Sequence, residues 1–331
     1  MTNETDRLRE EPDQYPLVSV IIPAFNEESI IGKVVRSVLL QRHNRSKIEV
    51  IVVDDGSTDG TAAEARMAGA RVLEPDENRA QGNPAAARNH GAAISSGDPI
   101  IFLDADCIVA GGWLQAILQG HNNKASIVGG SLALPPELPL MARCDYYCGW
   151  YLIHPDRAAG FVPHHPPPNI SVRRDAFLST SGFSEQPPFE YTNEERLWQA
   201  ELRRKGHLIY FEPTAIAYHY NRPGFLNLLR RNYRWGYTAI EAKSQTGTAR
   251  MAWLYRYPVF LIAFSPVLAL AHTMYILACW LQAGKFEPLL MLPFVLVSRF
   301  AYTLGMAVGG IRWIRYRKSA PSGERARPRW G

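Results

Sequence analysis

The first third of the chain repeats one pattern: an apolar, β-branched run ends in acidic residues, and a segment of helical periodicity follows. The runs are LVSVII, followed by Glu27; IEVIVV, followed by Asp54 and Asp55; and PIIFL, followed by Asp104 and Asp106. Continuous apolar runs of this length are typical of strands buried on both faces. Their alternation with helical segments predicts an α/β domain with a mostly parallel sheet.

Further elements follow from periodicity and from Gly and Pro positions. ARVLEP reads as a third strand, and HLIYFEPTAIAYHY reads as two short strands. The predicted helices span Ser29–Gln41, Thr61–Ala68, Pro84–Ser95 and Asn193–Lys205.

The acids at the strand ends are expected to share one crevice, because ligands of open α/β sheets bind beyond the carboxyl ends of the strands. An Asp-x-Asp pair there suits Mg²⁺ or Mn²⁺, which prefer oxygen ligands and share them with substrate phosphates. Acidic residues can bind a nucleotide diphosphate only if a metal bridges the like charges. The pattern therefore favours a metal-dependent nucleotide site.

Charge is concentrated at the end of the chain. The formal net charge is +5, and from Arg312 onward seven Lys/Arg stand against one Glu. The body is therefore close to neutral, and we expect no nucleic-acid partner. The polar residues 1–16 contain no apolar core, so no cleavable signal peptide is predicted.

Cys144 and Cys148 are spaced C-x₃-C without a second such pair, although His164 and His165 could supply further ligands. A zinc site normally needs a second ligand pair at defined spacing. We therefore expect reduced thiols and loop histidines.

Two apolar stretches follow an amphipathic segment that contains Arg230, Arg231 and Arg234. Residues 257–284 contain no Asp, Glu, Lys or Arg, and residues 289–311 contain only Arg299. Each exceeds the roughly 20 residues of a membrane span. With the basic tail on the cytoplasmic side, they predict a multi-pass protein of the inner (plasma) membrane with a cytoplasmic catalytic domain. A buried helical pair in a soluble domain is the alternative.

The motifs VSVIIPAFNEE, VIVVDDGSTDGT, PAAARNHGA, FLDADC and SGF occur here in the order and spacing of family 2 glycosyltransferases. The chain resembles that family over roughly Val18 to His219. The resemblance implies a GT-A fold, a Rossmann-like α/β domain that binds a UDP- or GDP-linked sugar. Together with the apolar stretches, it implies a GT-A domain followed by a C-terminal two-helix transmembrane hairpin.

The resemblance also implies roles for individual residues. Asp106 would hold Mg²⁺ or Mn²⁺, with His219 as a second candidate ligand. The nucleotide-sugar site would comprise Pro23, Ala24, Glu27, Asp54, Asp55, Arg88, Asp104, Arg231, Arg234 and Trp235.

An acidic pair at the start of a late helix, usually Glu-Asp in this family, corresponds here to Glu194-Glu195. A carboxylate there can remove the proton of an acceptor hydroxyl, so Glu195 is the expected base and Glu194 its alternative. Both could instead be helix-capping or solvated acids. RRNYRWG resembles the Q-x-x-R-W signature of membrane synthases, with Arg231 where Gln is usual; a basic membrane-surface helix is the competing interpretation.

The resulting division is a polar leader (1–16), a GT-A domain (17–222), an interfacial region (223–256), a transmembrane hairpin (257–311) and a basic tail (312–331). The expected function is inverting sugar transfer from a nucleotide-sugar to a lipid-linked or saccharide acceptor, with membrane lipid as a partner. The alternatives are a nucleotidyltransferase, which should carry a Gly-rich, Lys-containing loop after the first strand, and a non-catalytic component of polysaccharide assembly.

Overall fold

The structure of the chain, a computed structural model, describes residues 17–41, 47–74, 82–122, 125–185, 192–246 and 257–319. The predicted leader, residues 247–256 of the interfacial region and the tail from residue 320 lie outside these ranges. The strands are β1 (Val18–Ala24), β2 (Ile48–Asp54), β3 (Arg71–Leu73), β4 (Ile100–Leu103), β5 (Cys107–Val109), β6 (Ile127–Ala133), β7 (Gly160–Val162), β8 (Asn169–Val172) and β9 (Ile209–His219).

The helices alternate with the strands and then continue alone. They are α1 (Ile31–Leu39), α2 (Thr61–Met67), α3 (Pro84–Ile94), α4 (Trp113–Asn122), α5 (Leu140–Gly149), α6 (Arg174–Leu178), α7 (Glu194–Arg204), α8 (Phe225–Thr246), α9 (Pro258–Ala263), α10 (Ser265–Gln282), α11 (Glu287–Leu290) and α12 (Leu292–Ser319). The four helices predicted by range in the first 205 residues are present, with ends that differ by at most two residues.

One mixed sheet forms the centre of the molecule, in the order β3-β2-β1-β4-β8-β6-β9-β5, with β7 also on β9. Strands β1 to β4 pair in parallel, as predicted. Beyond β4 the sheet departs from the expectation of a mostly parallel sheet, because β8 runs antiparallel to both β4 and β6. The acid-bearing strand ends therefore belong to the parallel half.

The prediction of two short strands before residue 220 is wrong, because β9 is continuous. Its pairing with β6 shifts register between Gly130 and Ser131. Pro213 lies at this irregularity, where a residue without an N–H is tolerated. The Ser131 hydroxyl donates to the Pro213 carbonyl at 2.7 Å.

Helix α3 packs closely on the sheet and so brings Arg88 to the acidic edge. Asn83 caps the helix by accepting from the Ala86 N–H at 3.0 Å, and Pro84 occupies the first turn, as both residue types favour. A Cβ at Gly91 would overlap the Ile21 side chain. Glycine at this position therefore permits the close approach of α3 to the sheet, which brings Arg88, about one turn before Gly91, to the acidic edge.

The C-terminal helices pack together on one side of this α/β domain. By length and composition, α10 and residues 292–317 of α12 could each cross a membrane. Helix α12 lies against α8, and a Cβ at Gly236, Gly305 or Gly309 would overlap a backbone carbonyl of the partner helix. Small residues of this kind allow two helix backbones to approach closely.

Candidate active site

A cavity of about 2260 Å³ opens at the carboxyl edge of the parallel strands and continues toward α10 and α12. Thirteen of the fourteen predicted site residues line it: Pro23, Ala24, Glu27, Asp55, Arg88, Asp104, Asp106, Glu194, Glu195, His219, Arg231, Arg234 and Trp235. Asp54 is the exception. Its carboxylate accepts from the Ser57 N–H at 2.8 Å and shapes the turn after β2.

Glu27, at the end of β1, forms an ion pair with Arg222, which follows β9. Burial raises the pKa of Glu27, and the hydrogen bond from Arg222 opposes this rise. The pair joins two residues that are 195 positions apart in the sequence. Sequence reasoning missed Arg222, since no local pattern marks it as a partner of Glu27.

Arg88 joins the strand-end acids to the late helix. Its side chain is 4% exposed, with Nη2 at 2.7 Å from Asp104 Oδ1 and Nη1 at 2.9 Å from Glu194 Oε1. A buried guanidinium needs such partners, because an unpaired buried charge is strongly unfavourable. One side chain therefore fixes the Asp-x-Asp segment relative to the start of α7.

Glu194 and Glu195 are adjacent, yet they point to different partners. Glu195 Oε1 lies 2.6 Å from His164 Nε2, and both side chains are largely buried. Burial lowers the pKa of His164 to about 4. Near neutral pH this imidazole is therefore uncharged and donates its Nε2 hydrogen to the Glu195 carboxylate.

The same environment separates the ionisation of the two carboxyl groups. Burial and the neighbouring Glu195 raise the pKa of Glu194 to about 8. Burial alone would also raise the pKa of Glu195, but the hydrogen bond from His164 brings it below its usual value. Adjacent carboxyls with opposite pKa shifts can take different roles in proton transfer, and Glu195 is the member held as a carboxylate.

Asp106 and His219 face each other beside the Asp-x-Asp turn. Asp106 Oδ1 lies 3.6 Å from His219 Nε2, and Cys107 is close to both. His219 Nδ1 is 2.9 Å from Asn221 Oδ1, while Asn221 Nδ2 donates to Asp145 at 3.0 Å. The Asn221 amide thus orients the ring, with Nδ1 donating to Asn221 Oδ1 and Nε2 facing the Asp106 carboxylate.

This donor set suits a divalent cation, because a carboxylate oxygen and an imidazole nitrogen are both metal-ligand atoms and lie 3.6 Å apart, close enough to share one ion. Cys107 is a poor ligand, since burial raises the pKa of its thiol. No disulfide joins the cysteines of the described residues. His165 is buried, with its two ring nitrogens each 2.8 Å from a carbonyl oxygen, of Gly130 and of Pro166, which is a structural role.

Arg231 supports the His219 side of the site. Its Nη2 lies 2.6 Å from Asp145 Oδ2, and its guanidinium stacks over the Trp235 ring at 4.6 Å. Asp145 also accepts from Asn221, which orients His219. Sequence reasoning did not find Asp145 or Asn221, because neither belongs to a recognisable motif. Arg234 lines the cavity with an exposed side chain.

Beyond Glu195 the cavity becomes more apolar and reaches the C-terminal helices. His272 Nε2 and the Tyr151 hydroxyl are 3.0 Å apart in this part. Its other lining residues include Leu261, Leu268, Ala271, Tyr275 and Met306. The cavity thus has a charged end at the sheet and a second end between the helices, called the apolar end below, where Lys243, Arg299 and Arg312 lie among the apolar side chains.

Comparison with known proteins agrees with this architecture. The sequence model described as "Glycosyl transferase family 2" matches residues 19–177. "Glycosyltransferase AglE" of Haloferax volcanii is 31% identical over 237 residues, which are 68% of this chain and 74% of that protein. "Pre-mycofactocin glycosyltransferase" of Mycobacterium tuberculosis is 26% identical over 72% of this chain, and the match covers 52% of that longer protein.

Among solved structures, mannosyltransferase PcManGT from Pyrobaculum calidifontis, in complex with GDP-Man and Mn²⁺, matches with a TM-score of 0.59. The match covers 91% of this chain and 88% of that chain, at 19% identity. At this identity the likeness concerns the fold, which is that of a GT-A enzyme.

Proposed function

The chain belongs to glycosyltransferase family 2, and on that premise we propose that it moves a sugar from a nucleotide-sugar donor to a membrane-associated acceptor. The acceptor would be lipid-linked or a saccharide, and the donor UDP- or GDP-linked. We place the reaction on the cytoplasmic face of the plasma membrane, in cell-surface glycan or glycolipid synthesis. One observation carries the proposal: Asp104, Asp106 and Glu195 line a single cavity whose far end lies between apolar helices.

The donor would bind at the charged end of the cavity. Pro23, Ala24, Glu27 and Asp55 lie at the carboxyl ends of β1 and β2, where nucleotides bind open α/β sheets. We propose that Asp106 and His219 hold Mg²⁺ or Mn²⁺, as their facing donor atoms allow. When bound, the cation would neutralise the diphosphate and stabilise it as a leaving group.

The acceptor would enter from the apolar end. We propose that Glu195 takes the proton of the acceptor hydroxyl. The hydroxyl oxygen bonds to the anomeric carbon of the donor sugar as the bond between that carbon and the diphosphate breaks. A single displacement of this kind inverts the anomeric configuration. The ionised state of Glu195, maintained by His164, supports its role as the base. Glu194, paired with Arg88, would position α7 instead.

Arg234 extends from α8 into the same cavity. We propose that it assists the departing diphosphate, because it lines the cavity with an exposed side chain. Arg231, which the resemblance placed at the nucleotide-sugar, is engaged by Asp145. Its proposed role is therefore to orient His219 through Asp145 and Asn221.

The test is transfer by the purified full-length chain. Release of nucleoside diphosphate and incorporation of labelled sugar into a lipid extract are measured across UDP- and GDP-sugars, with Mn²⁺ or chelator. We expect one donor to be used only with the metal. Glu195→Gln should keep donor affinity and lose turnover by about 10²- to 10⁴-fold, whereas Glu201→Gln, on the same helix but outside the cavity, should be active.

Failure of every nucleotide-sugar to react would refute the proposed reaction. Normal turnover in Glu195→Gln would remove that residue from proton transfer while leaving the enzyme class intact.

A further inference from the structure

The turn between α10 and α11 lies on the α/β domain. Glu287 accepts from Arg143 Nε at 2.6 Å and from the Tyr147 hydroxyl at 2.6 Å. Lys285 Nζ is 3.0 Å from Asp156 Oδ2. In a hairpin that crosses a membrane, this turn would emerge on the face opposite the catalytic domain, yet here it contacts residues of that domain.

The end of the hairpin opposite this turn also contacts the α/β domain, through α8. Arg312 of α12 forms an ion pair with Glu241 of α8. A few residues earlier on α8, the Thr238 hydroxyl is 2.8 Å from that of Thr192, directly before α7. Both ends of the apolar helices are thus held near the α/β domain.

Between these ends α12 follows α8 side by side. Phe225 and Phe294 pack with ring centroids 6.1 Å apart at one end, and Glu241 meets Arg312 at the other. The 18 residues from 294 to 312 correspond to about 27 Å of helix. This is most of the roughly 30 Å of a bilayer's hydrocarbon core.

Helix α8 cannot share that hydrocarbon core, because it carries the polar side of the catalytic cavity. Arg230, Arg231, Arg234 and Lys243 all line the cavity, which must hold water and a charged donor. If α12 crossed the bilayer, these side chains would lie at membrane depth, where ionised groups are unfavourable. Crossing and the α8–α12 contact are therefore incompatible.

The outward side of the hairpin is nevertheless apolar and exposed. Large exposed apolar residues recur from α9 to α12, with Leu270 of α10 54% and Leu304 of α12 59% exposed. The others are Val259, Phe260, Phe264, Val267, Met274, Leu281, Phe286, Leu289, Leu290, Leu292, Val297, Phe300, Val308 and Ile311. A contiguous patch of this extent indicates an interaction surface.

We infer that α9 to α12 lie along the catalytic domain and insert their outward face into one leaflet of an anionic bilayer, without crossing it. Charge supports this partner: Arg315 and Arg317 are exposed at the end of α12, and the sequence from Arg312 carries seven Lys/Arg against one Glu. Basic residues beside an apolar helical face are typical of interfacial attachment to anionic lipids. The apolar end of the cavity would then open at the leaflet.

The first test asks on which side of the membrane the turn lies. In full-length protein with Cys279→Ala, Gln282→Cys reports the turn and Arg203→Cys reports the catalytic domain; both side chains are exposed. Sealed inverted vesicles and right-side-out spheroplasts are treated with an impermeant maleimide. We expect both cysteines to react from the same face. Reaction of Gln282→Cys from the opposite face, or its protection on both faces, would overturn the inference.

The second test measures the proposed leaflet contact directly. Purified full-length protein is floated with phosphatidylcholine vesicles, with or without phosphatidylglycerol. We expect binding that requires phosphatidylglycerol and falls at least tenfold in Leu270→Glu and Leu304→Glu. Phe161→Glu, at an exposed aromatic residue on β7, is the matched control and should bind normally.

Flotation unaffected by both glutamate substitutions would refute the leaflet contact, as would a detergent-free dimer that buries this face and ignores vesicles. Neither test measures sugar transfer, so their failure would be distinguishable from failure of the proposed reaction.

Discussion

The contact between His164 and Glu195 gives the sharpest prediction. His164→Phe removes the Nε2 hydrogen that Glu195 accepts at 2.6 Å and leaves the carboxylate buried. A hydrogen bond to a charged group contributes about 1.5–3 kcal/mol, and 1.36 kcal/mol corresponds to one pH unit in a pKa. The pKa of Glu195 should therefore rise by about one to two pH units.

The sign of the effect follows from which form is active. The proposed base works as a carboxylate, so activity is lost as the pH falls through the pKa of Glu195. In the natural chain that pKa is held below its usual value by the hydrogen bond from His164, although burial opposes it. Without the donor, the acidic limb of the profile of kcat/KM against pH should move upward by the same one to two pH units.

His164→Gln is the matched control, because its amide can place an N–H near the position of the imidazole Nε2. In His164→Gln the acidic limb should stay closer to its position in the natural chain, whereas in His164→Phe it should move by the full one to two pH units. Donor affinity is measured in parallel and should be unchanged. A uniform drop in kcat with an unmoved acidic limb in both variants would show that His164 only packs against Glu195.

Three other changes test the rest of the site and fold. Asp106→Asn should abolish the dependence of nucleotide affinity on Mn²⁺ while the thermal midpoint stays near that of the natural chain; titration calorimetry with and without chelator decides. Arg231→Met should weaken Mn²⁺ binding by about 10- to 100-fold, as loss of a group that orients a ligand does, measured by the metal dependence of nucleotide binding. Gly309→Val should lower the thermal midpoint by several degrees, because the added carbons overlap the Tyr237 carbonyl; an unchanged midpoint would contradict the close α8–α12 contact.

The sequence predicts most of the residues at the charged end of the cavity because its signals are local. The strand ends that present Glu27, Asp55 and Asp104 follow from apolar runs, and parallel pairing then brings them to one edge. The start of α7 at Glu194 is likewise marked by composition and periodicity. Asp54 and Asp55 show the limit, since only the structure reveals which of two consecutive acids faces the cavity.

The partners of these acids are not predictable in the same way. His164 lies in a Pro-rich loop and reaches Glu195 from 31 positions away, while Arg222 reaches Glu27 from 195. Loop conformation decides such contacts, and periodicity says nothing about it. The contacts of the turn between α10 and α11 were equally unpredictable, because length and hydropathy identify an apolar helix but not the residues that its connecting turn contacts.

Arg88 explains how two consecutive glutamates can contact different parts of the cavity, as the proposed reaction requires. Its guanidinium holds Glu194 and Asp104 at 2.9 and 2.7 Å, so the first residue of α7 is tied to the donor side of the cavity. Glu195, the next residue of α7, projects in a different direction and contacts His164 instead. The distance between the proposed base and the Asp-x-Asp segment is therefore set by the buried contacts of Arg88 and not by the loops around it. In the proposed reaction, that arrangement would let an acceptor enter at the apolar end while the donor and the base keep a fixed separation.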